Sequence, residues 1–140
     1  MTINHVNQMP EGELDVLRAI AGSKDDRAVV MLNQNRYRPD VNFPDGELYA
    51  SYIAAIEATV ESVGGKILWR TAVQGLAIGC SHDRCDEVLA VWYPSHSAFL
   101  HLPKAERGKE MFRLRKLCVE NAVIHRCSDA SFPFTYSGEV

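Results

Sequence analysis

The sequence predicts an α+β domain that consists of a four-stranded antiparallel sheet with helices on one face. Two observations support this class. Four short runs rich in apolar residues have the length of strands, and amphipathic helical segments separate the first run from the second and the third from the fourth. The 140 residues, of which 46% are hydrophobic, are enough for one ordinary globular domain.

The first strand and the first long helix follow one another directly. Residues 28–37 begin with an apolar half, typical of a buried strand, and continue with a polar half that contains Asn33 and Asn35. Apolar side chains then recur at helical spacing over residues 47–63. Asp45 is the expected N-cap of this helix because its carboxylate can accept from the first free backbone amides.

The second and third strands have no long helix between them. Residues 66–71 are predicted to be a strand, with a bent extension through Leu76 and Ile78. Residues 87–93 form the third predicted strand, and Ser95 is the expected N-cap of the short helical segment that follows.

The last helical region and the last strand complete the domain. Pro103 and Gly108 interrupt the helical region before its apolar stripe resumes at Met111. Residues 122–127 are predicted to be the fourth strand.

We divide the chain into three parts on this basis. Residues 1–26 form an N-terminal helical extension, residues 27–128 form the main domain, and residues 129–140 form a C-terminal tail. The helix of the extension is expected to end at Gly22.

The order of elements is that of the ferredoxin-like βαββαβ fold. Its helices cover one sheet face, and strands as apolar as these would leave a large exposed patch on the other. We therefore expect a homodimer in which the open faces of two sheets pack together.

Three segments carry a further pattern: residues 30–39, residues 49–52 in a helix that ends at Gly64-Gly65, and residues 86–95. In order and spacing they resemble a bacterial domain-of-unknown-function family of the dimeric alpha-beta barrel superfamily. The resemblance extends over about residues 28–128. Arg115 matches an arginine that the family carries before its last strand.

This resemblance implies an architecture, the dimeric alpha-beta barrel, and leaves the reaction open. The family has no assigned reaction. Its superfamily includes cofactor-free monooxygenases, muconolactone isomerases and haem-binding peroxidases, which are related to this chain by analogy of fold alone.

Charge and composition exclude several classes of function. A net charge of -3 offers no basic surface to a phosphate backbone, so no nucleic-acid partner is expected. No apolar run approaches the roughly 18 residues of a membrane span, and the first residues lack the features of a signal peptide. We therefore expect no membrane association, a cytoplasmic location and reduced thiols at the four cysteines.

Topology predicts which polar side chains meet. The ends of the first two strands, the start of the first long helix and the end of the second share one edge of the sheet. The residues expected there are Asn33, Asn35, Arg36, Tyr49, Tyr52, Trp69, Arg70 and Arg115. Guanidinium groups bind carboxylates, amides and phenols orient carbonyl groups, and an indole stacks on a flat ring. The set predicts a pocket for a small, partly aromatic or carboxylated molecule.

A structural role is the alternative for each of these residues. Tyr49 and Tyr52 lie on the apolar stripe of their helix, where aromatic residues usually belong to the core. Asn33 and Asn35 share one strand face, so both enter either the pocket or the dimer interface. The arginines are equally suited to pairing with surface carboxylates.

His125 is the candidate for proton transfer, because an imidazole titrates near neutral pH. It is expected with Trp92 and His96 at the opposite end of the sheet, and either histidine is a candidate haem ligand. Residues 80–86 contain two thiols and His82, but their spacing fits no zinc framework. No metal and no cofactor are therefore expected.

Two main functions remain open from the sequence. The first is a homodimer that binds a small organic molecule, with or without transforming it in the absence of a cofactor. The second is a non-catalytic structural or ligand-sensing dimer, and haem binding is a third reading. An enclosed pocket lined by Asn35 and Trp69 would favour the first function, and a core closed there by side chains would favour the second.

Overall fold

The structure is a computed structural model that describes residues 11–129. The helices are α1 (Glu11–Ala21), α2 (Glu47–Ser62), α3 (His96–Leu100) and α4 (Gly108–Cys118). The strands are β1 (Val29–Tyr37), β2 (Lys66–Ala72), β3 (Glu87–Tyr93) and β4 (Val119–Ser128). Most of the predicted tail and the start of the predicted extension lie outside the described residues, and the domain boundaries stay predictions.

The four strands form one antiparallel sheet in the order β2-β3-β1-β4. Because β3 lies between β1 and β2 and is antiparallel to both, β1 and β2 run in the same direction. The predicted α+β class and antiparallel sheet are confirmed, and the strand order is compatible with a ferredoxin-like arrangement.

Side chains alternate between the two faces of this sheet. Val29 and Met31 of β1 are buried, and their partners on β3, Tyr93 and Val91, share their face. The helices pack on this face, where α2 lies against α4 and α1 lies against α3. By the register, the opposite face carries the following apolar side chains: Val30, Leu32, Val88, Trp92 and Val123. We call it the open face.

The start of α2 differs from the prediction. Its N-cap is Gly46, and no side chain caps it, so the expected capping by Asp45 is wrong. The backbone amides of Asp45 and Gly46 instead donate to the carbonyl oxygen of Asn42, at 2.9 and 2.8 Å. A Cβ atom at Gly46 would overlap the carbonyl oxygen of Val41, so this tight turn requires glycine. The expected cap at Ser95 is confirmed, since its hydroxyl accepts from the amide of Ala98 at 3.0 Å.

The predicted extension of the second strand is also wrong. β2 ends at Ala72, which pairs with the first residue of β3, so no strand lies beside the chain after that point. After Ala72, one more backbone hydrogen bond follows, from the amide of Val73 to the carbonyl oxygen of Asp86 at 2.8 Å. Leu76 and Ile78 follow in a loop, where Ile78 is 95% exposed.

The fourth strand is longer than predicted, because it begins directly where α4 ends and pairs along the whole of β1. Within residues 11–129, no helix combines the length and the apolar character that crossing a membrane requires.

Candidate functional site

A carboxylate lies buried at the start of β3. Glu87 is 2% exposed and shares the helix-covered face with Leu89 and Val91, because the three alternate along one strand. Removing an ionised carboxylate from water costs several kcal/mol unless hydrogen bonds and opposite charge replace the lost hydration. The partners of Glu87 therefore decide whether this arrangement is stable.

Both oxygen atoms of Glu87 accept hydrogen bonds from the surrounding elements. The hydroxyl of Tyr37, at the end of β1, donates to Oε1 at 2.6 Å. The hydroxyl of Tyr49, in the first turn of α2, donates to Oε2 at 2.7 Å. Nη1 of Arg70, on β2, lies 3.3 Å from the same Oε2 and 3.0 Å from the hydroxyl oxygen of Tyr49. One carboxylate thus joins three strands and a helix.

Asn35 completes this group. It is 3% exposed, pairs with Glu87 across the ladder, and donates from Nδ2 to the hydroxyl oxygen of Tyr37 at 3.4 Å. Its Oδ1 is buried and accepts no hydrogen bond from any of residues 11–129. We call Asn35, Tyr37, Tyr49, Arg70 and Glu87 the Glu87 cluster.

The two phenols of the cluster keep their protons. Burial raises the pKa of Tyr37, and the negative charge of Glu87 raises it further. Burial and the hydrogen bond to Glu87 likewise raise the pKa of Tyr49, against a smaller opposing effect of Arg70. Because a neutral phenol donates and a phenolate repels, these shifts favour the hydrogen bonds that Glu87 receives.

A second aromatic group lies beside the cluster. The rings of Tyr37 and Tyr52 contact edge to face, with centroids 6.4 Å apart. Burial raises the pKa of Tyr52 to about 12, and the guanidinium group of Arg115 opposes this shift. Burial also raises the pKa of Tyr93, again opposed by Arg115. The effect of Arg115 indicates that it lies near Tyr52, which belongs to the aromatic core and lies outside the Glu87 cluster.

Asn33 and Arg36 are engaged elsewhere. Asn33 shares the face of Asn35 but donates from Nδ2 to the carbonyl oxygen of Met31 at 3.1 Å, on its own strand. Arg36 points to the other face, where its guanidinium group donates to the carbonyl oxygens of Arg84 at 2.9 Å and His82 at 3.1 Å. Arg36 therefore holds the loop between β2 and β3 by backbone contacts.

A groove of about 470 Å³ lies between α2 and β2. We call it the α2–β2 groove, and its lining residues are Glu57, Glu61, Gly65, Lys66, Ile67, Trp69 and Arg70. Trp69 is 45% exposed and the side chain of Arg70 is 41% exposed. Asn35 does not line this groove, because the rings of Tyr37 and Tyr49 pack around Asn35 and close the core there. Asn35 and Trp69 therefore do not share an enclosed pocket.

Neither of the candidate histidines, His96 and His125, contacts the Glu87 cluster. His125 is exposed and pairs with Leu32, which places it on the open face. His96 is buried at the first position of α3, with Nδ1 2.9 Å from the carbonyl oxygen of Arg27. Trp92, on the open face, donates from Nε1 to Asp129 at 2.9 Å. Among the described residues, no group of three or more His, Cys, Asp or Glu side chains is arranged to hold a metal ion.

Sequence reasoning missed Glu87 and Tyr37. Glu87 was assigned only to the start of a strand, although it has the same parity as the apolar Leu89, Val91 and Tyr93. An acidic residue that alternates with the apolar residues of a buried strand face indicates a buried carboxylate, and this pattern identifies Glu87. Tyr37 has the same parity as Asn33 and Asn35 and carried a comparable signal.

The chain is similar to solved structures of proteins of unknown function. The crystal structure of RPA0582, a protein of unknown function from Rhodopseudomonas palustris, matches with a TM-score of 0.74 and 26% identity, covering 92% of this chain and 99% of that one. A crystal structure of methylated RPA0582 matches with a TM-score of 0.74 and 25% identity, covering 94% and 99%. No family model and no curated protein match this chain. The family that the sequence resembles therefore stays a prediction.

The raised tyrosine pKa values predict a loss of stability in alkali. Tyrosines in an unfolded chain ionise near pH 10, whereas Tyr37, Tyr49, Tyr52 and Tyr93 have higher pKa values in the folded protein. Their contribution is complete below pH 10 and is lost as the pH rises toward 12 and beyond. Each should lower the free energy of unfolding by about 1.4 kcal/mol per pH unit in this window. Urea unfolding across the window measures the slope.

The variant Tyr52→Phe is the control, because it removes one ionisable hydroxyl. The free energy of unfolding of this variant should fall less steeply with pH, by about 1.4 kcal/mol per pH unit. Absorbance titration provides the opposing result. If the four described tyrosines ionise near pH 10 while the protein stays folded, the assignment of raised pKa values is wrong.

Proposed function

We propose that this chain binds a small, partly aromatic organic molecule in the α2–β2 groove. The observation that carries the proposal is the state of Arg70. Its Nη1 is held by Tyr49 and Glu87, while Nη2 and Nε donate to none of the described residues. A guanidinium group that is fixed at one nitrogen and partly exposed at the groove is prepared to donate to a ligand oxygen.

The Glu87 cluster supports this role by holding Arg70 in place. A free arginine on an edge strand samples many rotamers, and ordering it on binding costs conformational entropy. The contacts of Nη1 to Oε2 of Glu87 and to the hydroxyl of Tyr49 restrict that freedom before any ligand arrives. Binding through Arg70 therefore requires less ordering than binding through an unsupported surface arginine.

The groove also offers surface for a ring. Ile67 contributes an aliphatic side chain, since its pairing with Val91 places it on the side of β2 that faces α2. Trp69 also lines the groove, but its pairing with Ala90 places it on the open-face side of β2. The volume of about 470 Å³ lies within the range of small-molecule sites. Glu87 itself is buried and lines no part of the groove. The proposal is therefore one of binding, and no transformation of the ligand is assigned to it.

A non-catalytic structural dimer is the second candidate. The specific observation in its favour is that Tyr37 and Tyr49 close the core around Asn35, so the polar residues predicted to line a pocket instead satisfy one another. In this reading the Glu87 cluster only stabilises the fold.

Both candidates include association of two copies through the open face. The support is the apolar character of that face, where Leu32 and Val88 are half-buried and Val123 is 44% exposed. Packing two such faces would remove these side chains from water and would generate the dimeric alpha-beta barrel that the sequence resemblance implies.

Ligand binding in the groove is tested with 3-phenylpropionate, which has a ring and a carboxylate. In a two-dimensional ¹H–¹⁵N NMR titration at millimolar concentration, shifts are expected at residues 57–61 and 65–70. Arg70→Gln should weaken binding at least tenfold, because it removes the donor group that faces the ligand. Arg113→Gln, an exposed arginine on α4, is the matched control and should leave the affinity unchanged.

Shifts confined to other parts of the chain, or equal affinity of the wild type and Arg70→Gln, would contradict binding through Arg70. Absence of binding by every small molecule tried would favour the structural dimer.

Association through the open face is tested by analytical ultracentrifugation. The wild type should sediment at twice the chain mass of 15.7 kDa. The double variant Leu32→Lys, Val123→Lys should be a monomer, because each subunit would have to bury two charges at the interface. Leu117→Lys is the control, since Leu117 is 46% exposed on α4, away from the open face. A wild-type monomer, or a dimer that only Leu117→Lys disrupts, would contradict this interface.

A further inference from the structure

We propose that the ligand of the α2–β2 groove is an aromatic zwitterion, which carries an ammonium group beside its carboxylate. The inference rests on the proposed function, since it names the chemical class that the same groove accepts. It is carried by the balance of charges along the two walls of the groove.

The positive charge of Arg70 is already compensated. Nη1 of Arg70 lies 3.3 Å from Oε2 of Glu87, and the carboxylate is 2% exposed, so the pair is only weakly screened by solvent on the carboxylate side. Arg70 therefore offers directed N–H donors to the groove with little net positive charge.

The ammonium group of Lys66 is directed away from the groove. Its Nζ lies 5.6 Å from the centroid of the Trp92 ring, an arrangement in which the ring attracts the ammonium group. Trp92 belongs to the open face, and Lys66 pairs with it across the ladder. The aliphatic stem of Lys66 lines the groove while its charge is directed toward the other side of the sheet.

The remaining charges of the groove are two carboxylates on α2. Glu57 and Glu61 are four residues apart on one helix and therefore occupy the same helix face. Both line the groove, both are exposed, and neither forms an ion pair with a described residue. The lining side chains carry two negative and two positive formal charges, and Arg70 is already paired with the buried Glu87. Glu57 and Glu61 are therefore the carboxylates left to attract a cationic group of a ligand.

The opposite directions of the two walls bring the complementary charges into the same stretch of the groove. The chain turns back between α2 and β2, so the earlier Glu57 lies toward the later Arg70. Partial burial lowers the pKa of Arg70, and the effects of Tyr49 and Glu87 outweigh it and raise that pKa. The charge of Glu57 adds a smaller contribution in the same direction, which agrees with this orientation. A ligand with an ammonium group near its carboxylate can then direct the first toward Glu57 and the second toward Arg70, with its ring toward Ile67.

The proposal is tested with three compounds that share one phenyl ring and one chain length. L-phenylalanine has both charged groups, 3-phenylpropionate lacks the ammonium group, and phenethylamine lacks the carboxylate. By isothermal titration calorimetry on the full chain, L-phenylalanine is expected to bind at least tenfold more tightly than either analogue.

Substitution of the carboxylates separates the two halves of the recognition. Glu57→Gln with Glu61→Gln should weaken the binding of L-phenylalanine at least tenfold and should not weaken the binding of 3-phenylpropionate, because the anion loses only repulsion from the two carboxylates. Glu120→Gln is the matched control, because Glu120 is an exposed carboxylate on β4, and it should change neither affinity.

The outcomes distinguish this inference from the proposed function. If 3-phenylpropionate or phenethylamine binds in the groove as tightly as L-phenylalanine, or if the double variant leaves L-phenylalanine binding unchanged, the zwitterion is wrong and the groove remains a binding site. If none of the three compounds binds, the proposed function is contradicted together with the inference.

Discussion

The hydrogen bonds that reach one buried carboxylate are the constraint on which the rest of this structure depends. Glu87 accepts from Tyr37 on β1 and from Tyr49 on α2, and it pairs with Arg70 on β2. Loss of one donor would leave a buried charged group short of a partner, which costs about 1–3 kcal/mol or more. The position of α2 over the sheet is therefore fixed by polar contacts at its first turn as well as by apolar packing along its length.

The same contacts determine what the edge of the sheet can do. β2 is an edge strand whose residues are exposed apart from the half-buried Ile67, so its side chains have few neighbours to hold them. Arg70 is the exception, because the cluster anchors its guanidinium group. The cluster thus gives the exposed strand β2 one hydrogen-bond donor in a fixed position, the guanidinium group of Arg70. Glu57 and Glu61 place negative charge on α2, the opposite wall of the groove.

The fold was largely predictable and the site only in part. Strand and helix positions followed from periodicity, as the match of β3 to residues 87–93 shows. Asn35 and Tyr49 were recognised as polar residues at one sheet edge, and the structure joins them through Tyr37 and Glu87. The partners that join them were missed, because Glu87 and Tyr37 gain their meaning only from the register of three strands. His125 lies on the opposite face, since strand parity and not distance along the chain decides which side a residue occupies.

A double-mutant cycle of Tyr37→Phe and Tyr49→Phe, measured as free energies of unfolding, tests the central claim most directly. Each substitution removes one hydroxyl and keeps the ring, so the edge-to-face contact of the two rings, with centroids 5.2 Å apart, is retained. Because both hydroxyls donate to one carboxylate, we expect the two losses to be non-additive by about 0.5–3 kcal/mol. Additivity within about 0.3 kcal/mol would contradict the account, since it would mean that the two tyrosines do not act through a shared Glu87.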